Sequence, residues 1–455
     1  MAYTETKTTS YGSRVKNSFG GILVGILLFI GGTILLWWNE GRAVRTADAI
    51  KDAEKNLVDM NDISKIDNSF NGKLVHSTGT AIAHDQLYDG SFEIKTNATK
   101  LIRDVNYYQW IENKKEETKD KFGGGQETVV TYTYSREWTR NPVNSNDFNQ
   151  SAVSEESRNM GTKIYNFTVC GNLESTSIVA KDVTFGAYKL PDFLISSISG
   201  SEAFDVTLSD EIQGKYDELV RKAYVDNGRQ VISKSNQVAS NVVSKPEVQE
   251  VADSVEAKND SIDVPTEWEK TEYDYIHISG NTIYLGENPN NPEVGDVMIK
   301  YDVVPAQNDI SLIAQIENNT YTPYVADNGE KFSRLDMGVK SGAEMIQGAK
   351  DDNTMMTWIL RLVGIVLVII GIKGVLNIFV TLAKIIPFIS SILNFGANVI
   401  AFIFGLVWSL IIIAIAWLFY RPLLAICILL VIGGIVFLAV KYGKKKSVKK
   451  EAAEA

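Results

Sequence analysis

Phe19 to Trp38 is an uninterrupted run of 20 uncharged residues, FGGILVGILLFIGGTILLWW. A helix of that length spans about 30 Å, the thickness of a bilayer's hydrocarbon core. Trp37 and Trp38 close the run as interfacial aromatics do. A cleaved signal peptide is the competing explanation, but the run is too long and no small-x-small site follows in WWNEGRA. The apolar pattern resumes only near the C-terminus. Thr354–Ile372 carries one charge, Arg361, and Lys373 and Lys384 then bracket GVLNIFVTLA. Ile385–Tyr420 is a run of 36 uncharged residues, and Leu423–Val440 adds 18 apolar residues after Arg421 and Pro422. Thirty-six residues are too many for one simple span and too few for two spans with a turn. Pro387, Ser390, Ser391 and Asn394 lie in the first third of that run.

The predicted membrane helices are therefore 19–38, 356–376, 398–419 and 423–440, the last two forming a tight hairpin turned at Tyr420-Arg421-Pro422-Leu423. Segment 374–396 is expected to be interfacial or re-entrant. Lys373 and Lys384 are eleven residues apart, so they project to one side of a helix and can meet lipid headgroups above Val375, Leu376 and Phe379.

Residues 39–352 read as a water-soluble domain. Residues 42–60 show helical spacing in Ala43, Ala47, Ile50, Ala53, Leu57 and Met60. The pattern then turns to strands: 73–83, 102–112, 129–138, 162–170, 282–286, 296–304, 309–317 and 321–325. KFGGGQE at 121–127 is a hairpin loop. Residues 211–264 are charged and poor in aromatics, which predicts an exposed helical or partly disordered excursion.

Charge sharpens this division. Residues 353–455 hold ten Lys/Arg against two Asp/Glu, and residues 1–39 hold three against one, so the middle is strongly acidic. An acidic domain between basic apolar ends does not suit nucleic acid. The tail KYGKKKSVKK, with six lysines, places the C-terminus (441–455) in the cytoplasm, and four spans put residues 1–18 on the same side. Residues 39–352 are then periplasmic or extracellular, or lumenal in a eukaryote. The predicted fold class is a multi-pass α-helical membrane protein with a large, mainly β (α+β) extramembrane domain inserted between the first and second spans.

Catalytic chemistry finds no foothold in the pattern. Cys170 and Cys427 cannot easily meet, so no disulfide framework is expected. His76, His84 and His277 lack metal-ligand spacing, and neither a phosphate loop nor a nucleophile elbow is present. No catalytic, cofactor-binding or metal residue is assigned, and the protein is expected not to be an enzyme. Arg361 sits about 10 Å inside its helix, where it either snorkels or pairs with an acidic group in the bundle. Gly21 and Gly25, four apart, are candidates for helix packing or an oligomer interface. Tyr132, Tyr134 and Trp138 alternate onto one strand face and could line a ligand pocket. Asn377, Asn394 and Asn398 are the polar residues a channel could use.

Several stretches, in order, resemble the LUMA (transmembrane protein 43) family: Asn39-Glu40-Gly41-Arg42-Ala43, Gly72-Lys73-Leu74-Val75-His76, Tyr108-Gln109-Trp110 and Tyr132-x-Tyr134 with Trp138. Asn288-Pro289-x-x-Pro292-Glu293-Val294-Gly295-Asp296 and Trp417-Leu418-Phe419-Tyr420-Arg421-Pro422-Leu423 complete the set. The resemblance fails over roughly 200–270. It implies four spans, cytoplasmic termini and a large domain across the membrane. Animal members of that family reside in the endoplasmic reticulum and inner nuclear membrane and are described as self-associating scaffolds that bind lamins and emerin. An Asn/Lys/Ile-rich, Pro-poor style suggests a bacterial member in the plasma membrane, where those partners do not transfer. The expected role is a non-enzymatic scaffold that forms a homo-oligomer and organises a membrane patch, its partners being the lipid bilayer and unknown membrane proteins. A channel or transport accessory, or a ligand sensor, is the alternative. Glu40, Arg42, Lys373, Lys384, Trp417, Tyr420 and Arg421 are expected as anchors at the membrane surface.

Overall fold

The computed structural model describes residues 3–171, 173–229, 231, 265, 268 and 273–422. Helix α1, Tyr11–Asn56, is 46 residues long. Ser10 caps it, its Oγ accepting from the Ser13 N–H at 3.3 Å. The apolar run 19–38 is the middle of this helix, and residues 39–56 carry it without a break into the domain. Leu57 turns extended, and Val58–Asp59 already pair with Val75–His76.

The domain's framework strands are β1 (Tyr3–Thr9), β2 (Leu74–Ala83), β3 (Ile94–Asp120), β4 (Gln126–Thr139), β5 (Ile276–Ser279), β6 (Thr282–Leu285), β7 (Val297–Pro305), β8 (Gln307–Glu317) and β9 (Arg334–Met337). Among the described residues six of them form the path β1-β4-β3-β7-β6-β5 of a nine-stranded sheet, and in a seven-stranded sheet β8 pairs with both β2 and β9, shorter strands completing each. One core draws on both sheets. Val297, Ile299 and Tyr301 alternate into it from β7, and Ile310, Leu312 and Ala314 from β8. Helix α2 is Gln150–Met160 and helix α3 is Asp210–Asp226. Ile212, Tyr216, Val220 and Tyr224, four apart, lay α3 onto the same core. Of the exposed helical or partly disordered excursion expected over 211–264, residues 211–226 are helical but packed on the core rather than exposed; most of the remainder lies outside the described residues.

Segment 162–170, expected as a strand, forms none. The Asn166 side chain takes the place of a strand partner: Oδ1 accepts from the Trp110 N–H at 2.7 Å and Nδ2 donates to its carbonyl at 2.9 Å. The Tyr/Trp stripe is split. Tyr132 and Tyr134 are core side chains packed with Phe148 and Ala152 of the α2 region, while Trp138 packs on Tyr108 with centroids 5.2 Å apart.

Helix α4, Gly342–Ala383, and helix α5, Pro387–Tyr420, run 42 and 34 residues. Among the described residues α1, α4 and α5 are the helices long and apolar enough to cross a membrane. The expected spans 356–376 and 398–419 lie inside α4 and α5, whereas 423–440 and 441–455 lie outside the described residues. Over segment 374–396, expected to be interfacial or re-entrant, residues 374–383 complete α4, residues 384–386 turn, and 387–396 open α5.

Strands β3 and β4 project from the core as a ribbon, in register from Tyr107–Thr139 to Asp120–Gln126, about 45 Å long. Positive φ at Gly123 (87°) and Gly124 (82°) turns it. Strand β1 adds to β4, and the ribbon tip meets the far end of the bundle. Arg14 donates to the Gly124 carbonyl at 3.0 Å and pairs with Asp120 at 2.8 Å, while the Gly123 N–H reaches the Ile385 carbonyl at 3.1 Å. Lys384 lies 3.9 Å from Asp120 of the ribbon, and Lys373 is exposed. The outer part of strand β3 is polar on both its faces, with residues 113–121 exposed, although β4 opposite carries Val129, Val130 and Tyr132. Such a ribbon cannot lie in hydrocarbon. The clasp and a bilayer around the flanks of the bundle therefore exclude each other.

Candidate functional site

Helices α1 and α4 are antiparallel and share a seam that repeats every seven residues. Gly25 faces Gly371, Gly32 faces Gly364, and Asn39 faces Thr357. An added Cβ would come 2.8 Å from the Gly371 carbonyl at Gly25, and 2.5 Å from the Phe29 nitrogen at Gly371. The glycines thus let the two backbones touch, and a seven-residue step keeps one seam facing the partner. Gly25 is consequently spent inside the chain, not on an oligomer contact. An added Cβ on Gly21 would meet nothing within 4 Å.

At the domain-facing end the seam turns polar. Asn39 Nδ2 donates to the Thr357 carbonyl at 3.0 Å. Arg42 donates to Asn39 Oδ1 at 3.3 Å, Asn353 Oδ1 at 3.0 Å and Thr357 Oγ1 at 2.9 Å. Asn353, Thr357 and Arg361 follow at spacing four, one face of α4. Arg361 holds Glu40 through two bonds, Nε to Oε1 at 2.6 Å and Nη2 to Oε2 at 2.8 Å. The Trp417 indole of α5 donates to the same Oε2 at 2.8 Å. Arg361 also lies over the Trp358 ring, 4.8 Å from its centroid. Glu40 is wholly buried, so the expectation of a surface anchor is corrected: it is the hub that ties all three helices together. Of the two roles expected for Arg361, pairing within the bundle is the one realised. Trp37 packs against Phe419 and Tyr420 at 5.2 and 5.9 Å, and an added Cβ on Gly41 would come 2.7 Å from the Tyr420 ring. Arg421 is half-buried just beyond α5. Asn377 and Asn394 are exposed and Asn398 is half-buried.

Above this cluster Ile50, Ala53, Met345, Ile346 and Ala349 of the two helices pack with Leu74, Ile313 and Phe332 of the domain. A Ser341–Glu344 capping box starts α4 at that junction.

Two further motifs meet inside the domain. Tyr108 and the 288–296 turn exchange backbone bonds, the Tyr108 N–H to the Asp296 carbonyl and the Gly295 N–H to the Tyr108 carbonyl, both 2.9 Å. Gly295 holds φ at 104°, a value that favours glycine. The Asp296 carboxylate accepts from Tyr224, from Tyr284 at 2.5 Å and from the Glu293 N–H at 2.7 Å. Burial pushes its carboxyl up to about 6, partly offset by those donors. A cleft of about 820 Å³ opens beside it, lined by Trp110, Arg136, Lys163, Tyr165, Phe167 and Arg229 among others. The histidines are all hydrogen-bonded: His76 to Asp59 and the Lys340 carbonyl, His84 to Thr184, His277 to the Glu287 carbonyl. Cys170 is a free thiol that burial pushes up to about 12.

Apolar helices of membrane-crossing length, locked by a buried charge pair and continuous with a large β domain, define an integral membrane protein with an extramembrane domain. The family model of Transmembrane protein 43 matches residues 107–422, and the chain belongs to that family. Mouse Transmembrane protein 43 is 25% identical, covering 90% of this chain and 87% of the relative. The human protein is 24% identical over 94% and 92%, and a Drosophila melanogaster homolog 24% over 90% and 91%. These relatives are animal proteins and lend no support to a bacterial origin. No solved structure matches the chain.

Proposed function

We propose that the protein is a non-enzymatic membrane scaffold that associates with itself and holds its β domain at a fixed attitude to the bilayer for other membrane proteins to assemble upon. The observation that carries this reading is the absence of a joint: α1 and α4 pass as unbroken helices from their apolar belts into the domain core. A platform needs that stiffness, whereas a tethered soluble module needs a linker. The orientation follows the basic tail, with both termini cytoplasmic and the domain on the other side. The endoplasmic reticulum or inner nuclear membrane is the compartment in a eukaryote, the plasma membrane in a bacterium. Cross-linking in native membranes at native expression should yield dimers or larger species. Monomer alone would end the scaffold reading.

A further inference from the structure

We propose that the groove over the end of α5 binds the phosphodiester headgroup of an anionic phospholipid from the leaflet nearest the β domain. Helix α5 stops at Tyr420, while α1 and α4 run on past it. Among the described residues the strip beyond the end of α5 is a cavity of about 290 Å³. Its floor is Ala43, Ala47 and Ile50 of α1, and its walls carry Lys350, Arg361 and Arg421, with no acidic residue in the lining. Two of these three cations keep unused donors among the described residues. Arg361 spends Nε and Nη2 on Glu40, but its Nη1 has no partner among the described residues, and the residue is only 9% exposed. Arg421 has no side-chain partner among the described residues and stands half-buried at the groove's lower lip. Lys350 is held at the upper lip by Glu54 at 2.8 Å. A guanidinium left with free donors in a confined site suits a phosphate oxygen.

A lipid, rather than a free phosphate, fits the surroundings. Trp358 and Trp417 line the same groove, and Trp37 and Tyr420 ring the bundle at its level, as aromatics do at the headgroup depth. Below Trp358 the α4 surface is open and apolar, Ile359 and Leu362 being exposed, so acyl chains can run down from a headgroup seated above. The inference rests on the bilayer placement given above but not on self-association.

The full chain is reconstituted into nanodiscs of phosphatidylcholine with phosphatidylglycerol, exchanged into mild detergent, and its retained lipids are counted by native mass spectrometry. Wild type should retain phosphatidylglycerol in preference. Each cation removed should weaken that preference about fivefold, as basic groups near anionic lipid do. Arg421→Gln with Lys350→Gln therefore lowers it by more than tenfold, and Lys373→Gln, at the far end of the bundle, leaves it unchanged. Lys350→Gln alone, on the exposed lip, guards against loss of fold in the double variant. Equal retention in wild type and in the folded variants overturns the proposal. So does a melting temperature in phosphatidylcholine discs that inorganic phosphate raises as far as phosphatidylglycerol does, which assigns the groove to the free ion.

Discussion

The pair Glu40–Arg361 can be weighed by a double-mutant cycle. Glu40 is wholly buried and receives three charge-assisted bonds, at 2.6, 2.8 and 2.8 Å, from Arg361 and Trp417. Removing one partner of such a pair strands a desolvated charge and costs about 3–5 kcal/mol. Replacing both by apolar residues of similar volume strands nothing and costs little, often within about 1 kcal/mol. The variants are Glu40→Met, Arg361→Met and the double substitution. The singles together then exceed the double by at least about 4 kcal/mol, far beyond the ~0.5 kcal/mol scatter of independent sites. The two singles should also differ. Arg361 lines an open groove and lies over Trp358, so it keeps some solvation when Glu40 is gone. Glu40 has no such outlet, so Arg361→Met is the costlier change. The assay is unfolding by denaturing detergent in mixed micelles, followed by tryptophan fluorescence. Additive singles would refute the argument, and equal singles would refute its second half.

The seam predicts that Gly25→Val or Gly371→Val separates α1 from α4 and costs at least about 1–3 kcal/mol through overpacking, whereas Gly21→Val is tolerated; melting temperatures in detergent compare them. Asp296 predicts a pH effect. Its folded carboxyl titrates near 6 against an ordinary 3.8, so the folded state holds the proton more tightly. Its contribution is full below the ordinary value and is lost as pH rises through about 6, a change of about 3 kcal/mol. The difference in stability between wild type and Asp296→Asn should follow that curve across roughly pH 4 to 7, and a flat difference would show that the carboxyl does not titrate there. The clasp is tested by a cysteine pair at Thr6 and Val129, which lie opposite each other in β1 and β4. Oxidation should join them in detergent-solubilised protein and fail in intact membranes; joining in membranes would overturn the orientation proposed for the N-terminus.

The membrane helices and most of the sheets are legible in the apolar runs and the strand alternation of the chain. Features that depend on partners far along it are not. Glu40 reads as a surface charge because it directly follows Trp38 and Asn39, and only the antiparallel seam sets it level with Arg361. The chain does carry a signal for that seam: Gly25, Gly32 and Asn39 step by seven, as do Gly364 and Gly371. The burial of helix α3, though not its helicity, is obscured because its four core positions are interleaved with Asp210, Glu211, Lys215, Asp217, Glu218 and Arg221. Segment 162–170 resembles a strand because Ile164 and Val169 are apolar and become buried, yet a side-chain amide rather than a ladder satisfies Trp110. Lys373 and Lys384 share a helical side by arithmetic, but α4 ends at Ala383, before the second of them.

The unbroken passage of α1 and α4 into the domain has a mechanical consequence. An apolar belt adapts to the thickness of its bilayer by tilting. From the middle of the 19–38 run to Asn56 is about 40 Å of helix. A change in tilt of about 10° therefore swings the base of the β domain by about 7 Å. With Ile50, Ala53, Met345 and Ile346 clamped against Leu74 and Ile313, no hinge is present there to absorb that swing. The thickness of the surrounding lipid is thereby converted into the angle at which the domain meets its neighbours.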